Sequence, residues 1–495
     1  MRQRRVGSGP LWLGLAGSGL VALGGFGVAD IPRNHPVLQD LGLTWITYGH
    51  GKTLFGTMFW VGVAAMVIAW IRLGRRLSGD AGGDGGVGSA VAVRSLRWWV
   101  LAWAAPLAVT VPLYSRDVYA YLGQGAVFAA GFDPYADGPA HAPGPALDSM
   151  AQVWASTTAP YGPVFMGLIR GVVDITGEHM ILGVLAMRLM LLPGLLLALW
   201  AIPRLAERFG ASPGLGLWLV LFNPMVLIHL VGGSHVELLL VGVLVAGVVL
   251  VVDGRHVAGL LLLGVAVSIK VTAGVAIPFM LWIWLSHIRA ERPVRRRDVV
   301  GVFAAIVGIT VAVFAVATAA LGLGLGWLTG LGWADRIINW FTIPTLVGHL
   351  VTLVAAPFVA LNLQPVLSVT RLIGAAVLAV LLVVIWWRSR ADARTAVAGI
   401  AWAMLAVLLL EPSTLPWYYT WVLCVAVAFV LPGWVRAVVV GVSVFMLIVF
   451  QPDDSILFYK PVEVALALAL SVLAAVSLVR PDPLRVGRML RRAWA

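Results

Sequence analysis

The sequence predicts an all-α fold that crosses a membrane many times, and three observations carry that expectation. First, 61% of the residues are hydrophobic and only 11% charged, with a mean hydropathy of +0.96 over 495 residues; so few charges cannot dissolve a soluble domain. Second, the apolar residues fall in runs near the roughly 17–25 residues that span hydrocarbon as a helix. Third, the charge between those runs is mostly arginine in short loops, which is how membrane topology is written. No stretch is long and polar enough for a separate soluble domain, so residues 1–495 read as one integral-membrane domain.

In chain order, spans are expected at 11–29, 53–71, 98–114, 178–202, 214–231, 237–252, 257–269, 272–288, 299–320, 367–387, 395–411, 418–431, 434–450 and 461–479, within a total of about 13–15. The run at 11–29 follows Met-Arg-Gln-Arg-Arg and resembles a signal peptide. It has no convincing small-x-small cleavage site and is long enough to span, so it is read as the first helix. The glycine-rich stretch within 79–97 reads as a flexible cytoplasmic loop. The run at 343–358 is read as re-entrant or peripheral, because counting it as a span would put the next loops on the wrong side.

The charges orient the chain. With the N-terminus inside, 25 of the 34 basic residues are cytoplasmic and the C-terminus returns to that side. All three lysines, Lys52, Lys270 and Lys460, then land outside. The net charge of +12 is thereby spent on topology, and nucleic acid is set aside as a partner. The lone Cys424 lies in an apolar run, which excludes disulfides and thiolate metal clusters.

The largest non-spanning segment, 115–177, faces outward. Prolines and glycines in Gly-Phe-Asp-Pro-Tyr (131–135) and Ala-Pro-Tyr-Gly-Pro (159–163) set its turns, while 118–129 and 163–175 have the apolar content of short interfacial helices. Asp117 stands at its root beside Arg116. On the same face are His235, Glu237, Lys270, Asp335, Arg336, Glu411, Trp417 and Tyr418. Ionisable groups at membrane depth are costly and are usually kept for a function. Each also has a structural reading: Asp117 as a first-turn acid on a helix dipole, Lys270 as a snorkelling cation, Trp417 and Tyr418 as an aromatic belt. Arg188 and Arg371 lie within spans and should pair internally.

A set of motifs resembles a known family. Ser-Arg-Asp (115–117), Tyr-x-Tyr-Leu-x-Gln-Gly (119–125), Gly-Phe-Asp-Pro-Tyr, Ala-Pro-Tyr-Gly-Pro-Val-Phe (159–165), Asn223-Pro224, Leu-Ile-His-x-x-Gly-Gly-x-His (227–235) and Ile-Lys-Val-Thr-Ala (269–273) are similar to those of the actinobacterial polyprenol-phosphate-mannose-dependent α-1,6-mannosyltransferases, the MptA/MptB type. One departure is Val236-Glu237, where the family often has Asn-Asp. The resemblance implies a GT-C glycosyltransferase fold with a structured first large outer loop carrying an essential acid. It implies a polyprenyl-phosphate-mannose donor and a phosphatidylinositol-mannoside or α-1,6-mannan acceptor, as in lipomannan and lipoarabinomannan synthesis at the cell membrane. Polyprenyl phosphate is a stabilised anionic leaving group, so one carboxylate suffices where a glycosidase needs two.

On that basis Asp117 is expected as general base. Lys270, Arg336 and Arg116 are expected at the donor phosphate. His235, Glu237, Asp133, Tyr161, Trp417 and Tyr418 are expected at the substrates. No cofactor is required; a divalent metal is an option that nothing in the sequence demands, and no metal ligand is assigned. The rival readings are a transporter or flippase of a lipid-linked sugar, and a GT-C arabinosyltransferase or a mannosyltransferase of other linkage. Against the transporter, no internal repeat is found, and the polar groups gather at one face rather than the midplane.

Overall fold

A computed structural model of the chain describes residues 8–29, 31, 36–80 and 87–485. The terminal arginines outside that set, the glycine-rich centre of the 79–97 loop and the side chain of Asp335 lie outside the described residues. The described chain is helical, with only an isolated bridge between Phe450 and Ile456 outside helices, turns and loops. Eight helices are long and apolar enough to cross a membrane by length and composition. A pair bent by 51°, Pro213–Val220 and Pro224–Gly232, passes the same test together, and four shorter apolar helices accompany them. The chain is thus an all-α polytopic membrane protein of the GT-C type.

The chain forms two compact units. The first gathers Met1–Arg116, Ala206–Ser234 and Phe429–Ala495. Within it the Gly9–Val28 and Gly49–Asp80 helices touch backbone to backbone: a Cβ on Gly17 would lie 2.8 Å from the Gly62 carbonyl, and one on Gly62 2.7 Å from the Gly17 carbonyl. Small residues permit this approach, which replaces the hydrophobic drive that lipid cannot supply. Trp70 and Trp218 are buried, stacked at 5.4 Å, and each indole donates to the other's backbone carbonyl at 2.7 Å. The bend in the paired helix falls at Asn223-Pro224, where the Asn223 side chain accepts from the Met225 amide and donates to Ser443.

The second unit holds Asp117–Leu205 and His235–Ala428. Two of its helices, Asp117–Ala129 and Pro163–Thr176, coincide with the short helices expected at 118–129 and 163–175. The Ile343–Ala355 helix has 13 residues, about 20 Å, and is one of four shorter apolar helices. Two expected spans lose their helical backbone before their apolar runs end. The Val87–Ala108 helix carries Pro106 and stops six residues before the expected end, starting well inside the expected loop. The run at 418–431 is a short Tyr419–Ala426 helix after a 3-10 turn at Pro416–Tyr418.

Candidate active site

The backbone delivers two of the expected residues through strained turns. Tyr114 and Ser234, neither of them glycine, adopt φ of 65° and 59°. This left-handed conformation persists only where surroundings over-determine it. For Tyr114 they do: its amide donates to the Pro452 carbonyl (3.1 Å), its hydroxyl to the Leu447 carbonyl (2.9 Å), and the preceding Leu113 amide to Gly232 (3.3 Å). Three residues after Tyr114 comes Asp117, and directly after Ser234 comes His235.

Asp117 opens the Asp117–Ala129 helix, where the dipole favours its negative charge. Its Oδ2 lies 3.5 Å from Nδ1 of His235, which is wholly buried. That separation is long for a hydrogen bond but ordinary for a catalytic pair before substrate draws it together. The imidazole stacks on Trp417 with centroids 3.6 Å apart and planes 18° apart, so its ring cannot turn away from the carboxylate.

A second charged pair lies in the same unit. Lys270 follows the His256–Ile269 helix, and its Nζ donates to Oε1 of Glu237 at 2.5 Å. The Glu237 side chain is fully buried and that of Lys270 13% exposed. Three rings surround the ammonium: Tyr418 at 4.3 Å, Trp421 at 5.4 Å and Tyr161 at 5.9 Å, a cation–π arrangement that offsets part of its desolvation. Burial pulls the ammonium pKa down, and Glu237, Tyr161 and Glu411 together outweigh it, leaving Lys270 above its ordinary value and charged. Tyr161 is set by its neighbour Gly162: the Gly162 amide donates to Ile269 (3.1 Å), and a Cβ there would fall 2.3 Å from the Ser268 carbonyl. Only glycine lets the 159–163 loop dock on that helix end.

These groups border a cavity of about 300 Å³ whose walls include Asp117, Tyr121, Gln124, Tyr161, Lys270, Glu411, Tyr418 and Trp421. Asp117, Tyr121 and Gln124 stand at spacings of four and three, one face of a helix. Glu411 is the C-cap of the Ala393–Leu410 helix, and its Oε1 is buried without a hydrogen-bond partner. Burial raises its carboxyl to about 8 against the pull of Lys270, with Glu237 adding to the rise. The backbone after it is tied down: the Pro412 carbonyl accepts from Thr342 (3.3 Å) and Thr345 (2.8 Å), and the Thr414 carbonyl from Asn339 (2.6 Å). Arg371, expected to pair internally, donates to Thr345 (3.3 Å) and the Ile337 carbonyl (3.0 Å).

The structure therefore brings Asp117, Lys270, Tyr161 and Tyr418 to the cavity wall, with His235, Trp417 and Glu237 directly behind them through contacts to Asp117 and Lys270. Two of the expected residues, Asp133 and Arg336, are not among those lining the cavity. Asp133 is exposed, and its carboxylate accepts from the Tyr135 amide at 2.9 Å, a turn-forming bond. Arg336 is exposed and donates to the Val153 carbonyl at 3.3 Å. Arg116 belongs to the first unit and is half-buried. Sequence reasoning assigned no role to Tyr121, Gln124, Glu411 or Trp421. The first two were legible as a helical face through Asp117; the other two meet the cavity only in three dimensions. Among the described residues no three His, Cys, Asp or Glu side chains are grouped to hold a metal ion.

Comparison with known proteins extends the reading. A family model described as the N-terminal domain of α-(1→6)-mannopyranosyltransferase matches residues 11–286, and one described as the MptB C-terminal domain matches 344–480. The chain is 42% identical to α-(1→6)-mannopyranosyltransferase A of Mycobacterium tuberculosis over 96% of this chain and 90% of that protein. It is 35% identical to the enzyme of the same name from Corynebacterium glutamicum, over 92% and 96% of the two chains, and 33% identical to that organism's α-(1→6)-mannopyranosyltransferase B, over 83% and 71%. No solved structure matches. Fold, cavity and matches together define a multi-pass membrane glycosyltransferase. More particularly, the chain belongs to the α-(1→6)-mannopyranosyltransferase family.

Proposed function

We propose that this protein transfers mannose from polyprenyl-phosphate-mannose to a lipid-anchored mannan, a phosphatidylinositol-mannoside or its elongated α-1,6 chain, forming an α-1,6 linkage by single displacement. The observation that carries the reading is the Asp117–His235 pair at the wall of a cavity that also holds a charged lysine. Asp117 takes the proton of the acceptor 6-hydroxyl as that oxygen bonds to C1 of a β-linked donor. The C1–O bond to phosphate breaks on the opposite face, its electron pair leaves with the phosphate, and inversion gives the α product. His235, held by Trp417, orients the carboxylate. Lys270 offers its charge to the departing phosphate, with Glu237 keeping the ammonium protonated until then. Tyr161 and Tyr418 present faces to sugar or to the first isoprene units. No cofactor takes part in this scheme. The cavity faces the extracytoplasmic side of the cell membrane and both termini lie in the cytoplasm, as the arginine distribution directs.

The test is purified protein with radiolabelled polyprenyl-phosphate-mannose and a short α-1,6-mannoside, with the product linkage determined. A new α-1,6 bond supports the proposal. Failure with this donor alongside success with the arabinose analogue refutes it, and movement of unaltered lipid-linked sugar across a sealed vesicle restores the transporter.

A further inference from the structure

Four residues that line the cavity each carry a buried polar atom with no hydrogen-bond partner in the protein: Oε1 of Glu411, Oε1 of Gln124, Oγ1 of Thr272 and Nε1 of Trp421. Gln124 and Trp421 are 4% and 3% exposed. Buried polar groups are normally satisfied, and a cluster of exceptions around one cavity marks what the cavity is built to receive. The chemistry of the set is mixed. The indole only donates, the Gln124 oxygen only accepts, and the threonine hydroxyl does both. A phosphate, which is an acceptor, would leave the Gln124 oxygen unmatched; a ring of hydroxyls, each donating once and accepting twice, matches all of them.

Glu411 stands at the centre of this chemistry. It sits at a helix C-terminus, where the dipole disfavours a negative charge. The cation near it, Lys270, is already engaged by Glu237. A neutral carboxyl both donates and accepts, and the bonds to Pro412 and Thr414 hold its backbone in place. We infer that Glu411, with Gln124 and Trp421, forms a hexose subsite in which Glu411 reads a pair of sugar hydroxyls and so sets sugar specificity. The inference rests on the glycosyl-transfer reading above and adds a carboxyl to it that moves no proton in the displacement.

The subsite can belong to the donor sugar or to the acceptor sugar, and kinetics in detergent separate them. With one substrate saturating and the other varied, Glu411→Ala is expected to raise KM for one of the two by about tenfold or more, as sites built around a substrate hydroxyl do when a partner is lost, while kcat changes less. Glu411→Gln, whose amide also donates and accepts, is expected to restore most of that loss. Wild-type KM for the same substrate should rise above pH 8, where the carboxyl of Glu411 ionises, and Glu411→Gln should flatten that limb. A panel of deoxymannosides then locates the hydroxyls, because the alanine penalty vanishes for the analogue lacking the hydroxyl that is read. Both variants within twofold of wild type in both KM values would overturn the inference. So would a glutamine variant as impaired as the alanine one, or, should the alanine variant fail to fold, a glutamine variant with an unchanged pH limb. A wild-type protein that transfers no mannose would instead sink the proposed function, so the two failures are distinguishable.

Discussion

Asp117 is where residue-scale chemistry is most exposed to test. It sits in the first turn of a helix and 3.5 Å from a buried imidazole, and an amide isostere keeps its shape while removing its charge. Asp117→Asn is expected to leave a folded, monodisperse protein whose transfer rate falls by about 10²–10⁴, the usual contribution of a positioned base; near-normal turnover would remove it from that role. Lys270 presents a different case, because its partner is wholly buried. Lys270→Met strands the Glu237 carboxylate, and removing one member of a buried pair costs about 3–5 kcal/mol, so the thermal midpoint in detergent should drop. Pairing it with Glu237→Leu should recover the midpoint and leave transfer impaired, separating the ion pair's structural part from the ammonium's part in the reaction. Of the two, Asp117 was readable from its place at the root of the largest non-spanning segment. The Lys270–Glu237 pair was not, because 33 residues separate them and no periodicity reports a contact across that distance.

Elements position these side chains through a few backbone contacts. The docking of the 159–163 loop on the end of the His256–Ile269 helix depends on the absent side chain at Gly162, since even the methyl of alanine would meet the Ser268 carbonyl at 2.3 Å. Gly162→Ala is therefore expected to displace Tyr161 and cut transfer by about a hundredfold, the scale of a 1 Å misplacement in an active site. Helix content by circular dichroism should be unchanged. Helices and loops of the 115–177 segment were legible because apolar runs and Pro/Gly turns sit side by side in it. The span expected at 98–114 was overextended, because hydropathy continues through Val109–Leu113 while Pro106 and Pro112 remove the amides a helix needs. An apolar run states that a segment lies in the membrane; whether its backbone is helical to the end depends on where its hydrogen bonds go, and here they go to Gly232 and Pro452.

Two properties belong to the molecule entire. The Arg296–Leu321 and Leu363–Arg388 helices are buried over only 11% of their most apolar windows, so lipid covers most of what they present. Val380, 64% exposed, should tolerate any apolar residue, whereas Val380→Arg adds about 2.5–3.5 kcal/mol to insertion and should lower the membrane-inserted fraction measured by glycosylation mapping or by yield. The second property is the pH dependence of stability. Glu411 carries a folded-state pKa raised from 4.5 to about 8. Between those values the unfolded chain has released its proton and the folded chain retains it, so stability from this group is complete below about 4.5 and is lost as pH rises through 8. A thermal midpoint that declines over this interval, and declines less in Glu411→Gln, is the expected result; identical slopes would mean that Glu411 is ionised in the folded protein.

By itself the sequence determined that this chain lives in a membrane, that its backbone is helical, which segment is the largest non-spanning one and which acid stands at its root. These follow from composition, run length and turn residues, all of which are local. It also carried the family motifs, because they are short contiguous strings. Only the tertiary structure decided the rest: that His235 backs Asp117 while Trp417 stacks on it, that Glu237 pairs with Lys270, that Asp133 and Arg336 are not among the residues lining the cavity, and that Glu411 is. The reason is physical. A carboxylate's role depends on what lies within a few ångströms and how much water it has lost, and residues 117, 235, 270 and 411 acquire those surroundings only when helices far apart in sequence are packed together.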